Sequence, residues 1–210
     1  MLSTFCAILH PPAPLVRARP AGKQSCRPEC DAIPVITMRG RTLAIRPVTP
    51  RDTPLLADLL ARLSQRSAQL RFFRPPMSRE AIWREAERVA DGNRRLHAAL
   101  IATVIEDGAL RAVALAELAH DQGDTALAET AIVVRDDYQQ EGLGHMLAQF
   151  LIRLAMLRGV ATLRVDMLAQ NQATIKLVHR LGLSYTAQTH RGETTALLEL
   201  PQELDADGRA

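Results

Sequence analysis

Residues 128–167 limit the possible folds of this chain most, because they combine a strand, a glycine-rich turn, a helix and a second strand. Residues 130–134 read TAIVV, a β-branched and apolar run that predicts a strand buried on both faces. Residues 139–144 read Q-x-x-G-x-G and lead directly into an apolar helix, and residues 162–167 form the next strand. The glycine-rich turn therefore lies at the start of a helix.

The turn has the features of an anion-binding site. Gly142 and Gly144 have no Cβ, so the backbone can bend tightly and its N–H groups can come close to a ligand. The first N–H groups of a helix lack intrahelical partners, and the helix dipole favours negative charge beside them. The pattern favours a diphosphate site, with a plain turn at a helix start as the alternative. The dinucleotide pattern G-x-G-x-x-G and the Walker-A pattern are both absent.

The residues after the second strand narrow the class of protein. Asn171 precedes a helix that ends in residues 179–183, which read HRLGL. With these elements the chain resembles the GNAT family of N-acetyltransferases, which bind acetyl-CoA through the motif R/Q-x-x-G-x-G/A. The resemblance covers roughly residues 43–200. It implies an α/β (α+β) fold, with a single GNAT-type domain whose mixed central β-sheet is flanked by helices.

The resemblance also implies acetyl-CoA as cosubstrate, no metal, and a set of residues around the cofactor. In the family, the strand before the glycine-rich turn splays from its neighbour, and its unpaired backbone groups bind the pantetheine arm like an added strand. Ile132 and Val134 supply those groups here, and a freed N–H can stabilise the oxyanion. Asn171 reaches the same arm, caps the last helix, or does both. The predicted cofactor-binding residues are Ile132, Val133, Val134, Gln139, Gln140, Glu141, Gly142, Leu143, Gly144, His145 and Asn171.

Glu129 is the predicted general base. It is the only ionisable side chain in the apolar run of residues 127–134, where a buried charge is costly unless it has a partner or a task. A lysine acceptor has a pKa near ~10.4, so a carboxylate has to remove its proton before the amine can attack. The family commonly has a glutamate base at this point of the strand. The alternative is a structural ion pair between Glu129 and a neighbouring Arg or Lys.

The last helix departs from the family's pattern at Val178. Many relatives have a tyrosine there, in the pattern Leu-Tyr-x-x-Leu-Gly-Phe, which protonates the leaving thiolate. The thiolate of coenzyme A has a pKa near that of a free thiol, ~8.5, so it can leave without an acid. His179 is the candidate substitute acid, although it faces roughly a quarter-turn away. Tyr138, before the glycine-rich turn, is predicted to pack rather than to react.

Two passages resemble bacterial protein-lysine acetyltransferases, residues 63–75 (LSQRSAQLRFFRP) and residues 128–144. That branch also tends to lack the tyrosine, and it implies a protein lysine as acceptor, for example on an acyl-CoA synthetase. Phe72 and Phe73 are predicted to bind the acceptor, with core packing at a helix-to-loop corner as the alternative. The competing functions are transfer to a small amine, such as a polyamine, an antibiotic or an amino acid, and non-catalytic sensing of acyl-CoA.

The two ends of the chain differ from its middle. Residues 1–40 are predicted to be disordered, because the segment is rich in proline, and a start at Met38 is an open alternative. All three cysteines lie in this segment without metal-finger spacing. Residues 41–201 form the N-acetyltransferase domain, and residues 202–210 a C-terminal tail. A net charge of +3 gives no reason to expect nucleic acid, and no apolar run can span a membrane. We expect a cytoplasmic protein, with a homodimer left open.

Turn and period signals predict the remaining elements. Residues 41–47 alternate and predict a first strand, at a sheet edge because of Pro47. Helices are predicted after a cap at Thr49 or Asp52 and from Ser78 to residue 90, and hairpins around residues 107–108 and 191–192. The predicted order is one strand, two helices, three strands, one helix, one strand, one helix and two strands.

Overall fold

The computed structural model of the chain describes residues 32–73, 77–92, 96–120 and 126–201. Residues 1–31, which contain the three cysteines, and the predicted tail at residues 202–210 lie outside the described residues. Eight strands and five α-helices are described, in the order β1 (Ile33–Ile36), β2 (Thr42–Pro47), α1 (Thr53–Ala61), α2 (Gln65–Phe72), α3 (Arg79–Ala90), β3 (His97–Glu106), β4 (Ala109–His120), β5 (Leu127–Val134), α4 (Leu143–Leu157), β6 (Thr162–Leu168), α5 (Gln172–Leu181), β7 (Tyr185–His190) and β8 (Glu193–Glu199). Among the described helices, none is long and apolar enough to cross a membrane.

The eight strands form one mixed sheet in the order β1-β2-β3-β4-β5-β6-β8-β7. Every neighbouring pair is antiparallel except β5 and β6, which are parallel and joined by α4. The hairpin turns have positive φ at both central residues, Asp107 and Gly108 in one, Arg191 and Gly192 in the other. Positive φ at both positions is typical of the tight turns that match strand twist. The predicted mixed sheet and both predicted hairpins are confirmed.

Helices cover both faces of the sheet. On one face, α4 shares a core with β4 and β5 that includes Leu143, Leu147, Leu151, Leu118 and Ala128. On the other face, α1 and α3 share a second core with β3 and β4 that includes Leu56, Leu59, Val89, Ile101 and Leu115. Each large apolar side chain buried in this way contributes roughly 1.5–3 kcal/mol. The central strands β4 and β5 are therefore held from both sides.

β5 and β6 pair over only their first residues. Residues 127–129 lie opposite residues 162–164, whereas β5 continues to Val134 and β6 to Leu168. Beyond Glu129 the strands diverge and leave an opening in the sheet between residues 130–134 and 165–168, which we call the wedge. The prediction that residues 130–134 are buried on both faces is wrong for this reason. All of them except Val133 are only partly buried, because the neighbouring strand has moved away.

β1 corrects the prediction for the N-terminal segment. Residues 33–36 were predicted to be disordered, but they pair with residues 42–45 of β2. The sequence IPVI is short and contains a proline, so it carries little local strand signal. Since β1 covers the outer side of β2, the prediction that β2 is an edge strand is also wrong. Pro47 is tolerated because it is the last residue of β2, opposite Leu100.

α2 is a second element that the predicted order lacked. Its sequence, QRSAQLRF, has no apolar stripe, and its buried residue is Ser67. Polar contacts hold it instead. At its start, Asp136 accepts hydrogen bonds from Ser64 and Ser67 at 2.7 and 2.8 Å, and at its end Arg71 lies 2.6 Å from Glu117 of β4. α2 therefore crosses over β5 and β6, from the turn after β5 to the middle of β4.

Candidate active site

The open edge of β5 presents backbone groups to the wedge. The N–H of Arg135, just beyond β5, donates to Val113 of β4 at 2.8 Å, so the backbone of Arg135 faces β4. Because the backbone groups of a strand alternate in direction, those of Ile132 and Val134 face the wedge. The carbonyl of Val134 already accepts the side-chain amide of Gln139 at 3.0 Å. The N–H and C=O of Ile132 and the N–H of Val134 are therefore the groups placed to bind an extended ligand.

The turn of residues 139–144, which we call the glycine loop, ends at the start of α4. Gln140 and Gly142 have φ of 60° and 84°, a left-handed pattern that can bring neighbouring N–H groups together around an anion. The N–H of Met146 donates to the carbonyl of Gly142 at 3.1 Å. The N–H groups of residues 143–145 are the first-turn donors, which have no intrahelical acceptor. The loop therefore offers several donors and a helix dipole to a diphosphate.

The two glycines of this loop have different reasons to be glycine. Gly142 has a left-handed φ, and a Cβ there would lie 3.2 Å from Sδ of Met38. Gly144 has neither constraint, because the nearest atom to a Cβ there would be Cγ2 of Val134 at an ordinary 3.9 Å. Nearby, Nδ1 of His145 is buried without a hydrogen-bond partner among the described residues. The free space at Gly144 and the unpaired nitrogen both fit a ligand at the start of α4.

Three of the predicted cofactor residues have side chains that face the protein. The amide of Gln139 donates to Ser67 at 3.1 Å, which links the glycine loop to α2. The carboxylate of Glu141 is 0% exposed and accepts the hydroxyl of Thr37 at 2.8 Å. Val133 is buried, and its backbone faces β4. Only the backbones of Gln139 and Glu141 are placed for a ligand, and the structure does not support the predicted contact by Val133.

A network of charged groups holds the residues that lead into the glycine loop. Arg135 pairs with Glu106 of β3 and with Asp137 at 2.7 Å. Tyr138 is buried and donates its hydroxyl to Glu106 at 2.8 Å. Burial, followed by this hydrogen bond, raises the pKa of the Tyr138 phenol. The prediction that Tyr138 packs in the core is confirmed.

Glu129 lies at the narrow end of the wedge, where β5 and β6 separate. It is exposed, contrary to the expectation of a buried charge, and it points away from the core that contains Ala128. Arg164 lies opposite it on β6, but the Arg164 guanidinium pairs with Asp166 at 2.8 Å. Among the described ion pairs none includes Glu129. The alternative of a structural ion pair is therefore not observed, and the carboxylate is open to an incoming amine.

Glu117 on β4 is the buried acid that the sequence interpretation missed. It is 5% exposed and lies 2.6 Å from Arg71, 3.0 Å from Arg88 and 3.9 Å from His97. Burial alone would raise the pKa of this carboxyl, but His97 and the two arginines lower it to about 2. A signal was present, because Glu117 is the only acidic residue in β4. The test applied to Glu129, a lone acid in an apolar strand, selects Glu117 as well.

The last helix offers one polar group to the wedge side and no acid at the family's position. Asn171 caps α5, because its Oδ1 accepts the N–H of Thr174 at 3.2 Å, which leaves the side-chain NH₂ as a donor. Val178 is 4% exposed and belongs to the core. His179 is exposed and packs edge-on against Tyr185 of β7, with ring centroids 5.6 Å apart. Since two strands separate β7 from β5, His179 faces the far edge of the sheet rather than the wedge.

The two phenylalanines that are predicted to bind the acceptor lie at the end of α2. Phe72 is half-buried, and the Arg71 guanidinium lies 5.0 Å from its ring centre. Phe73 is 39% exposed and has a φ of 55°, which is rare for a bulky residue. Such a conformation costs on the order of 1–3 kcal/mol. The alternative of core packing does not hold for Phe73, and contact with an acceptor stays a prediction.

Comparison with known proteins identifies the family of this chain. The family model of the acetyltransferase (GNAT) domain matches residues 42–184. Acetyltransferase Pat of Mycolicibacterium smegmatis is 29% identical over 179 residues, 85% of this chain and 52% of its own length. The Escherichia coli ribosomal protein bS18 alanine N-acetyltransferase is 38% identical over 77 residues, 33% of this chain and 52% of that protein. The chain thus spans about half the length of these curated relatives.

Solved structures of GNAT domains have the same fold as this chain. The GNAT domain of S. lividans PAT superposes with a TM-score of 0.69 and 24% identity, over 80% of this chain and 97% of that domain. This superposition shows that the chain has the fold of that GNAT domain. The chain belongs to the GNAT acetyltransferase family, whose members use acetyl-CoA as acyl donor.

Proposed function

We propose that this chain transfers the acetyl group of acetyl-CoA to a lysine side chain of a protein, with Glu129 as general base. One observation carries the proposal. The wedge has donors for a diphosphate at its wide end, unpaired backbone groups along β5, and an exposed carboxylate at its narrow end. A long cofactor and an amine that meets its far end require these three parts in this order.

Different groups of the protein bind different parts of acetyl-CoA in this proposal. The first-turn N–H groups of α4 hold the diphosphate, where the helix dipole adds to the attraction. Ile132 and the N–H of Val134 hydrogen-bond the pantetheine arm, as an added strand does. The NH₂ of Asn171 is a further donor for that arm. Acetyl-CoA supplies an activated acyl group, and the thiolate can leave without an acid, which suits the buried Val178.

Glu129 prepares the acceptor. A lysine arrives as an ammonium group, because its pKa of ~10.4 lies well above neutral pH. The Glu129 carboxylate takes up that proton, directly or through a water, and the neutral amine then attacks the acyl carbon. The exposure of Glu129 supports this assignment, since a lysine on a folded protein has to reach the base from solvent.

The acceptor class is the finer part of the proposal. Residues 63–75 and 128–144 resemble bacterial protein-lysine acetyltransferases, and the match to Acetyltransferase Pat extends over most of the chain. Both support a protein lysine, with an acyl-CoA synthetase as the first acceptor to test. A cytoplasmic location and a homodimer remain predictions of the same kind.

A panel of acceptors tests the proposal. The purified chain with acetyl-CoA is offered an acyl-CoA synthetase, a lysine peptide with a blocked N-terminus, a lysine-free peptide with a free N-terminus, and spermidine. We expect acetylated lysine by mass spectrometry and a matching release of free thiol. Acetylation of only the free N-terminus or of spermidine would overturn the protein-lysine assignment. Binding of acetyl-CoA without thiol release on any acceptor would favour the non-catalytic sensor.

A further inference from the structure

The turn between β1 and β2, residues 37–41, is docked onto the glycine loop. The N–H of Met38 donates to the carbonyl of Glu141 at 3.0 Å. Thr37 is buried, and its hydroxyl donates to the Glu141 carboxylate at 2.8 Å. Arg41 lies 2.8 Å from the other oxygen of the same carboxylate. This turn is therefore a fixed wall of the loop, although β1 lies four strands from β5 in the sheet order.

The turn carries one more cation than Glu141 requires. Arg41 is fully engaged, because it also donates to the carbonyl of Asp137 at 3.0 Å and lies 4.2 Å from the ring centre of Tyr138. Arg39 is the second cation beside Glu141, at the longer distance of 3.7 Å. Its side chain is 62% exposed, so it is free to take other positions. Since Arg41 is paired with Glu141 at the shorter distance, Arg39 is available to another anion.

Arg39 is also close to the point where α4 begins. Its neighbour Met38 lies over Gly142, with Sδ 3.2 Å from the position that a Cβ would take there. Met38 and Arg39 thus lie beside residues 141 and 142, which directly precede the first turn of α4. A guanidinium is planar and matches two phosphate oxygens at once, which a point charge does not.

We propose that Arg39 binds a phosphate of coenzyme A, so that the β1–β2 turn forms part of the cofactor site. The inference rests on the proposed function, because it assumes that the glycine loop binds the diphosphate. When the cofactor binds, Arg39 exchanges its long contact with Glu141 for the phosphate, and Arg41 keeps the buried carboxylate paired. Coenzyme A has two phosphate sources for this contact, the diphosphate and the 3′-phosphate.

Calorimetry with coenzyme A and with dephospho-coenzyme A tests the proposal. Binding by the unsubstituted protein tests the cofactor site itself, so its failure is separate from a failure of Arg39. We expect Arg39→Ala to raise the Kd for coenzyme A about tenfold, equivalent to about 1.4 kcal/mol. Arg39→Lys should recover only part of the loss. The matched control is Arg51→Ala, since Arg51 is exposed in the turn before α1 and lies outside the site.

Comparison of coenzyme A with dephospho-coenzyme A shows which phosphate Arg39 contacts. An equal loss with both assigns Arg39 to the diphosphate, and a loss with coenzyme A alone assigns it to the 3′-phosphate. The difference between Arg39→Ala and the unsubstituted protein should also shrink at high salt, because Arg39 is exposed and its charge is screened. An unchanged Kd for both ligands, in an Arg39→Ala protein that unfolds at the usual temperature, overturns the proposal.

Discussion

Glu117 and Glu129 are two glutamates on neighbouring strands and on the same face of the sheet, and their surroundings are opposite. Glu117 lies opposite Ala131, and Glu129 lies opposite Ala119, so the two side chains are diagonal neighbours. Glu117 is enclosed by two arginines and a histidine that come from α2, α3 and β3. Glu129 is exposed and has no ion pair among the described residues.

The difference favours a structural role for Glu117 and leaves Glu129 as the candidate base. A buried charge is kept only when cations and donors surround it, and those partners then fix its ionised state. Such a carboxylate is a weaker base than a free one, which disfavours Glu117 as the general base. Glu129 has no such partners and lies where the wedge opens. The two glycines of the glycine loop also differ in this way. The left-handed φ of Gly142 serves the fold, whereas the backbone at Gly144 does not require glycine.

The largest effect should come from Glu129→Gln, which keeps the shape of the side chain but cannot accept the ammonium proton. We expect turnover to fall about 10²–10⁴-fold at neutral pH, the usual contribution of a positioned general base. The Kd for acetyl-CoA should not change, because the side chain of Glu129 is not among the groups proposed to bind it. A higher pH should partly restore turnover, since hydroxide then supplies the neutral amine. Near-normal turnover at pH 7 would leave catalysis to positioning alone.

Glu117→Gln should act on stability instead. Removing the buried anion takes Glu117 away from Arg71 and leaves Arg88 paired with Glu85 alone, and breaking a buried ion pair in this way costs about 3–5 kcal/mol. We expect a lower denaturant midpoint, while folded protein retains the acetyl-CoA affinity of the unsubstituted chain. If the variant is as stable as the unsubstituted protein but loses turnover about a hundredfold, the roles of the two glutamates are reversed.

The stability difference between the unsubstituted protein and Glu117→Gln should depend on pH. The pKa of Glu117 is about 2 in the folded protein and 4.5 as an ordinary carboxyl, so the folded state binds fewer protons. Its contribution is present above the unfolded pKa and is lost as the pH falls from about 5 to 2, by about 3 kcal/mol. Unfolding curves of the unsubstituted protein and Glu117→Gln should therefore converge over this range. A constant difference down to pH 2 would mean that Glu117 is not the group that titrates.

Substitution of the two glycines should separate cofactor affinity from stability in the same way, with smaller effects. Gly144→Val should raise the Kd for acetyl-CoA about tenfold, or about 1.4 kcal/mol, because the side chain occupies ligand space. Its thermal unfolding should stay close to normal, since the position is not left-handed. Gly142→Val is the matched variant, and its left-handed φ should cost about 1–2 kcal/mol of stability. A folded Gly144→Val protein with unchanged Kd would contradict the diphosphate assignment.

The smallest effect is expected from His179→Ala. His179 packs on Tyr185 at the far edge of the sheet, so turnover should stay within about twofold, far below the scale of a lost general acid. The measurement is turnover with a lysine peptide at saturating acetyl-CoA. A fall of about a hundredfold would make His179 the acid that replaces the family's tyrosine.

Short-range patterns in the sequence determined most of the sheet. The β-branched run of β5, the hairpins at residues 107–108 and 191–192, and the glycine loop before α4 are all in the structure as predicted. Each depends on residues close together in the chain. Steric preferences and periodicity act over that range, so a sequence pattern is enough to specify them.

Tertiary structure decided the rest, because the contacts that matter join distant residues. β1 exists because β2 pairs with it, and α2 because Asp136 and Glu117 hold its two ends. Glu117 and Glu129 are both lone acids in apolar strands, and the sequence treats them alike. Only the packing of α2 and α3 over β4, and the separation of β6 from β5, make one a buried ion cluster and the other an open carboxylate.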